Sequence, residues 1–464
     1  MRHNPPKAYR TSVQYRVWCE KTDQKGTSLN ATSATIPAER TSTAVRAYVL
    51  VVVCLVYALN IADRYVVSTV IDPIKHELML TDSGVAFITG VPLAFFYVTM
   101  GIPLSWLADR YNRRNILSVS LIIWSAFTAL CGLSRTYWQF VLTRVGVGVG
   151  EAGGTPPCNA IVADYFVPAL RPMALGVFAL GAPIGAWLGS DIAGSVANAH
   201  GWRAAFLALG VPGVVLGVLV YFTIREPKRG GLDAVPTGKA TVLDTLEMLW
   251  AQRSGFHVIM ASGVCALWGW GLVWWTPTFL QRAYSLNVAE AGAVTGWAHL
   301  VGGFIATAFT AWWLSRPKMT NPKRIVYLLG GCTALATIPS FLAYYTDSLV
   351  MAKVMFWIFI PAIYLYIGPC MGLVQNSAPA HMRAMFTAWS LLVGNVFNLI
   401  VAPVAVGFLS DRIAGLKGGD AHSLRVALLF LAPTGLWAAW HFVLAGRTII
   451  ADQERATGHL VAEP

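Results

Sequence analysis

Charge is scarce in this 464-residue chain: Asp, Glu, Lys and Arg together make up 12% of it, about half the share that soluble domains carry. With 56% hydrophobic residues and a mean hydropathy of +0.57, that scarcity excludes a water-soluble globular protein. No Gly-rich loop ending in Lys is present to cradle a phosphate, nor any zinc-ligand spacing. The loops are too short for a nucleotide domain. Enzymatic chemistry and ATP-driven transport therefore find no support, and no cofactor or metal is expected. Cysteine is sparse too: six of the seven fall in apolar stretches and Cys19 precedes them, so no structural disulfide is expected.

Apolar stretches of about 20 residues, the length that crosses a bilayer, are abundant. Twelve follow one another near 47–69, 84–108, 114–133, 138–163, 171–197, 202–224, 254–281, 291–315, 323–345, 350–373, 383–411 and 421–447. Placing both termini in the cytoplasm puts 24 of the 34 Lys and Arg residues on that side, 8 on the other and 2 within spans, as the positive-inside rule requires. The net charge of +12 thus reports topology, and no nucleic-acid partner is expected. Residues 1–46 lack a signal-peptide core and a transit-peptide pattern, so they read as a disordered cytoplasmic tail. A polar connector, 226–253, separates a six-helix bundle at 47–225 from a second at 254–447, with a cytoplasmic tail at 448–464. Six plus six is the layout of a duplicated transporter. Leu188-Gly-Ser-Asp-Ile-Ala-Gly194 and Leu409-Ser-Asp-Arg-Ile-Ala-Gly415, closing the fifth and eleventh spans, support duplication weakly.

Against this background, two ionisable pairs stand at membrane depth: Asp63 with Arg64 in the first span, and Arg144 with Glu151 in the fourth. Intramembrane charge is costly and marks pathways and proton relays. A seven-residue spacing places Arg144 and Glu151 on one helix face, roughly 10 Å apart along the axis. Arg keeps its charge, so Arg64 and Arg144 require a carboxylate or an anionic head group beside them. Burial disfavours a charged carboxyl while a neighbouring Arg favours it, and this competition makes protonation responsive to ligand and solvent. Glu151 is expected to bind the coupling proton, with Asp63 second. Arg64, Arg144 and Asn60 are expected to hold the substrate head group. The competing reading is that both pairs are structural salt bridges. Five glycines between 146 and 154, followed by Thr155-Pro156-Pro157, thin and then bend the fourth span just past Glu151.

Four motifs carry a resemblance. Leu107-Ala-Asp109-Arg110-Tyr-Asn-Arg113-Arg114 looks like the cytoplasmic loop signature of the major facilitator superfamily, although Ser105 and Asn112 stand where glycine is usual. Arg144-Val-Gly-Val-Gly148-Val-Gly150-Glu151-Ala152 is similar to its Arg-containing fourth-helix motif, with Glu151 where most members have a small residue. Together with Asn60-Ile-Ala-Asp63-Arg64-Tyr65 and Thr81-Asp82-Ser83-Gly84, these resemble the spinster family over most of residues 57–225. The resemblance implies an all-α polytopic major facilitator fold and a proton-coupled transporter of lysophospholipid or sphingoid phosphate, working by alternating access in the bacterial inner (plasma) membrane. It also implies a cytoplasmic gate at Asp109, Arg110, Arg113 and Arg114.

The second half offers fewer signals. Trp275, Tyr364, Asn376 and Asn395 are candidate cavity-lining residues, with Tyr366, Gln375 and Asn398 beside them. Trp268, Trp270, Trp274, Trp275 and Tyr284 either line a lipid-tail path or anchor the seventh span at the outer interface, and the anchor is the simpler expectation. His299 and His441 stand alone and read as hydrogen-bonded packing, while Asp191 reads as a helix-end or gate residue. The expected partners are an amphipathic lipid, protons and the bilayer, and the expected state is a monomer. Two rivals remain: a proton-coupled symporter of small organic anions such as sugar acids, and a non-transporting sensor or scaffold.

Overall fold

The computed structural model describes residues 42–166, 170–226, 242–316, 319, 321–379, 382–415 and 419–456. Among them every regular element is helical, and eleven helices are long and apolar enough to cross a membrane. In chain order these form the first span (Thr43–Thr69), second (Asp82–Ala108), third (Arg113–Cys131), fifth (Met173–His200), sixth (Trp202–Thr223), seventh (Arg253–Tyr284), eighth (Val288–Leu314), ninth (Pro322–Tyr345), tenth (Leu349–Asn376), eleventh (Met385–Ala414) and twelfth (Asp420–Ala456). The fourth expected span is present in two pieces, Tyr137–Glu151 and Thr155–Tyr165, neither long enough alone.

Helix starts are set by side-chain caps. Ser42, Thr81, Asn112, Thr136 and Ser348 each accept a backbone N–H from the first turn, and Asn287 with Glu290 completes a reciprocal capping box. Capping by Ser42 starts the first span at Thr43, four residues before its expected start at residue 47; residues 1–41 lie outside the described residues. Within the expected connector, Val242–Ala251 forms a helix, and residues 227–241 lie outside the described residues. The twelfth helix continues to Ala456, past the expected boundary at 447.

Large apolar side chains face outward in number, among them Leu142, Phe222, Leu335, Val350 and Phe430, each more than three-fifths exposed. That inversion of the soluble pattern is what a lipid solvent demands. Inside, small residues let helices touch. A Cβ on Gly146 would meet the Phe127 ring at 2.3 Å, one on Gly148 the Leu93 carbonyl at 2.6 Å, and one on Gly150 the Trp124 backbone at 2.6 Å. The glycine run of the fourth span therefore serves close packing against the second and third spans, as well as preceding the break. Single π-helical turns interrupt the fifth, seventh, eighth and eleventh spans at Leu188–Ile192, Ala266–Trp270, Ala298–Gly303 and Val396–Val401. Nothing in the hydropathy pattern announces them, and such turns often mark functional positions.

Candidate functional site

Helical periodicity puts Tyr57, Ile61, Arg64 and Tyr65 on one face of the first span, and all four line an internal cavity of about 220 Å³. Ala182 of the fifth span joins them. The opposite wall comes from Ser262, Ala266, Trp270 and Trp274 of the seventh span, Tyr366 and Met371 of the tenth, and Ser390, Asn395, Asn398 and Leu399 of the eleventh. Both halves of the chain thus contribute, and Arg64 is the one charged side chain among the described residues that line the cavity.

Arg64 is held from behind. Its Nη2 donates to Glu151 Oε2 at 3.0 Å, and its guanidinium lies over the Tyr97 ring at 5.3 Å. Glu151 is fully buried and closes the helix Tyr137–Glu151, immediately before the turn at Ala152, Gly153 and Gly154. Its second oxygen, Oε1, has no hydrogen-bond partner. One residue before Arg64, Asp63 points into the bundle, where its Oδ2 accepts from the Thr128 hydroxyl at 2.8 Å. Arg144, also fully buried, lies near Asp63 and Cys131, yet none of its guanidinium nitrogens completes a hydrogen bond. Asn60 is buried on the same side, its amide nitrogen unpartnered.

Sequence spacing alone pairs Arg144 with Glu151 along one helix; the structure instead pairs Glu151 with Arg64 across two spans. The reason is reach: Arg64 Nη2 comes within 3.0 Å of Glu151 Oε2 across the bundle, while the glycine face of the fourth span packs on the second and third. Of the expected head-group residues, Arg64 reaches the cavity, whereas Arg144 and Asn60 stand in the wall behind it. Asp63 likewise sits behind the wall.

Expectations for the second half fare unevenly. Asn395 lines the cavity, and so do Tyr366 and Asn398. Tyr364 does not: its hydroxyl meets His299 Nδ1 at 2.9 Å, buried behind the wall. Trp275 is fully buried in packing, and Asn376 is exposed at the end of its helix, both away from the cavity. The interface-anchor reading of the seventh-span tryptophans fails, because Trp268, Trp274 and Trp275 are buried and Trp270 and Trp274 face the cavity. Trp270 Nε1 donates to Tyr366 Oη at 3.1 Å, fixing the seventh and tenth spans to each other within the second-half wall. His441 is not alone, since its Nδ1 lies 3.0 Å from His257 Nδ1. Asp191 accepts from the Trp187 indole within the fifth span's π-turn.

At the far end of the first half, Arg110 stacks over Trp106, and Arg113 forms an ion pair with Asp164. The backbone N–H groups of Arg113 and Arg114 both donate to the Glu226 carboxylate at 2.9 Å, capping the third span. These contacts lie within the first half and the first residue of the connector; the Asp109 side chain lies outside the described residues. Tyr57 and Tyr65 were legible as cavity residues from their i, i+7 and i+8 relation on the Arg64 face, but hydropathy gave no reason to single them out.

An all-helical chain with eleven candidate spans among the described residues and a cavity lined from both halves agrees with the family model that matches residues 53–402, that of the Major Facilitator Superfamily. The chain belongs to the major facilitator superfamily. It is similar to an MFS-type efflux pump of Mycolicibacterium smegmatis, 29% identical with 85% of this chain and 92% of that one covered. A probable L-galactonate transporter of Escherichia coli is 26% identical, covering 86% and 88%. The sphingosine-1-phosphate transporter SPNS2 of Mus musculus is 26% identical, covering 76% and 68%. Among solved structures, a bacterial homolog of the human lysosomal transporter spinster, inward-facing and unoccupied, superposes with a TM-score of 0.77 at 27% identity, covering 89% and 99%. As a member of this superfamily the protein is a membrane transporter and not an enzyme.

Proposed function

We propose that the protein moves an anionic amphipathic lipid, of the lysophospholipid or sphingoid-phosphate class, by proton-coupled alternating access. The observation that carries this reading is the Arg64–Glu151 pair at the cavity edge, 3.0 Å apart, with Arg64 facing the cavity and Glu151 buried behind it. A phosphate or carboxylate arriving at Arg64 competes with Glu151 for the guanidinium. Glu151 released from that pair is a buried carboxylate without a counter-charge, and taking a proton relieves the cost. Substrate binding and protonation are thereby linked through one arginine. Asp63 is the second proton site, and Arg144, buried near it, balances its charge.

The remaining lining supports an oily ligand. Around Arg64 stand Tyr57, Tyr65, Trp270, Trp274, Tyr366, Leu391 and Leu399, with Asn395 and Asn398 as neutral polar groups. The cavity, about 220 Å³, is smaller than the about 300–1,000 Å³ that enclose a drug-sized ligand, so a long-chain substrate seats its head group here and leaves most of its tail outside. The same reading takes the chain to sit in the plasma membrane with both termini cytoplasmic, supported by the excess of Lys and Arg on that side, and to act as a monomer.

Symport of a small organic anion is the alternative, supported by the similarity to the probable L-galactonate transporter. A compact sugar acid offers a carboxylate to Arg64 and hydroxyls to Asn395, Asn398, Ser262 and Ser390, but leaves the apolar and aromatic surface of Ile61, Trp270, Trp274, Leu391 and Leu399 uncovered. Purified protein in liposomes, given either a fluorescent lysophospholipid or radiolabelled galactonate, separates the two. Movement of the lysophospholipid alone supports the proposal, and movement of galactonate alone replaces it with the alternative.

A further inference from the structure

A second charge cluster joins the two halves at the end of the molecule that carries the short helix Ile71–Glu77, the end that the basic-residue count assigns to the outside. Arg282, in the last turn of the seventh span, donates to Asp72 from Nε at 3.0 Å and from Nη2 at 2.6 Å, and to Asp82 from Nη1 and Nη2, both at 2.8 Å. Asp82 opens the second span and takes two more partners: the Ser410 hydroxyl at 2.8 Å and Lys75 Nζ at 3.0 Å. The neighbouring Asp411 of the eleventh span accepts the backbone N–H of Asp82 at 3.0 Å and of Ser83 at 2.8 Å, and also the Ser83 hydroxyl. A carboxylate from the second half thus caps a helix of the first half, where the helix dipole favours it.

Backbone packing draws the same seam tight. A Cβ on Gly407 would lie 2.7 Å from the Asp82 carbonyl oxygen, and one on Gly292 would lie 2.2 Å from that of Ser190. Lys75 outside the spans keeps its proton more firmly than an ordinary lysine: burial works against its charge, and the hydrogen bond to Asp420 together with the charge and hydrogen bond of Asp82 more than offsets it. The substrate cavity lies deeper, along the first and seventh spans, and uses none of these residues.

We propose that Arg282, with Asp72, Asp82 and Asp411, is the latch that holds this end of the transporter shut and sets the balance between its two access states. Opening here pulls Arg282 away from two first-half carboxylates and Asp411 away from the start of the second span. Each loss strands a charge that the closed state satisfies. The latch operates whichever substrate is carried, so it stands apart from the lipid proposal.

Its test is a distance measurement by pulsed electron spin resonance on full-length protein in nanodiscs, with Cys19→Ser and Cys332→Ser as background. Spin labels go at Met79 and Tyr345, two exposed positions at this end, one in each half. Wild type is expected to show mainly the short, closed distance. Arg282→Gln and Asp411→Asn are each expected to raise the ratio of long to short distances by about tenfold or more, the scale of one charge-assisted hydrogen bond. Gly407→Val is expected to act in the same direction by wedging the seam. Should Arg282→Gln fail to fold, Asp411→Asn, which keeps side-chain size, decides the matter. A wild-type distance distribution in the folded charge variants overturns the proposal.

Discussion

Arg64 and Glu151 lie 87 positions apart in sequence and 3.0 Å apart in space, joining the first span to the last residue before the break in the fourth. The pair places a permanent cation at the cavity surface and a titratable carboxylate directly behind it. Arrival of an anion and release of the carboxylate become a single event.

Arg64→Ala removes the cavity's charged lining group and leaves Glu151 without its hydrogen-bond partner. Affinity for an anionic lipid is expected to fall by about 10- to 100-fold, the range for losing a hydrogen bond to a charged group. Arg64→Lys is expected to recover part of it, since a point charge remains without the planar fork. Equilibrium binding of a fluorescent lysophospholipid in detergent measures both.

Asp63→Asn keeps a side chain able to accept the Thr128 hydroxyl and removes the charge near Arg144. If Asp63 is the second proton site, the variant carries fewer protons per substrate, read as a changed ratio of internal acidification to lipid movement in the same vesicles. An unaltered ratio assigns coupling to Glu151 alone.

Gly150→Val places new atoms against the Trp124 backbone, 2.6 Å from where its Cβ would stand. Overpacking typically costs about 1–3 kcal/mol, so the detergent-solubilised variant is expected to unfold at a lower temperature and to express poorly. Gly176→Ala, whose Cβ would meet nothing within 4 Å, is the control and is expected to match wild type.

Outside the spans, Glu77 is held below the ordinary carboxylate range by the hydrogen bond from Arg203 and then by that from the Trp202 indole. A lowered native pKa stabilises the fold above the unfolded-state value and loses that contribution as pH falls through the native one. The difference in melting temperature between wild type and Glu77→Gln is therefore expected to be present, though small for so exposed a pair, at pH 7 and to vanish under acid conditions.

Hydropathy made the spans legible because a bilayer requires long apolar helices, and Asp63, Arg64, Arg144 and Glu151 stood out because charge is rare at that depth. Partner choice was another matter. Glu151 lies seven positions from Arg144 and 87 from Arg64, yet it is Arg64 that it meets, at 3.0 Å, because the folded bundle and not sequence spacing sets which spans face each other. The second-half wall was harder to read, since Trp270, Tyr366 and Asn398 owe their placement to π-turns and to the bend near Ile363, which leave no periodic signature in an apolar run. Arg282 escaped notice because a basic residue at a span's end resembles an ordinary interfacial anchor; its two carboxylate partners come from 200 and 210 positions away.

The most direct test of the linkage between Arg64 and Glu151 uses liposomes holding wild type or Glu151→Gln, with lysophospholipid movement followed with and without a pH gradient. The account predicts that the gradient accelerates movement in wild type and has no effect in Glu151→Gln, while gradient-free exchange of labelled for unlabelled lipid survives the substitution. An equal response to the gradient in both proteins would contradict it.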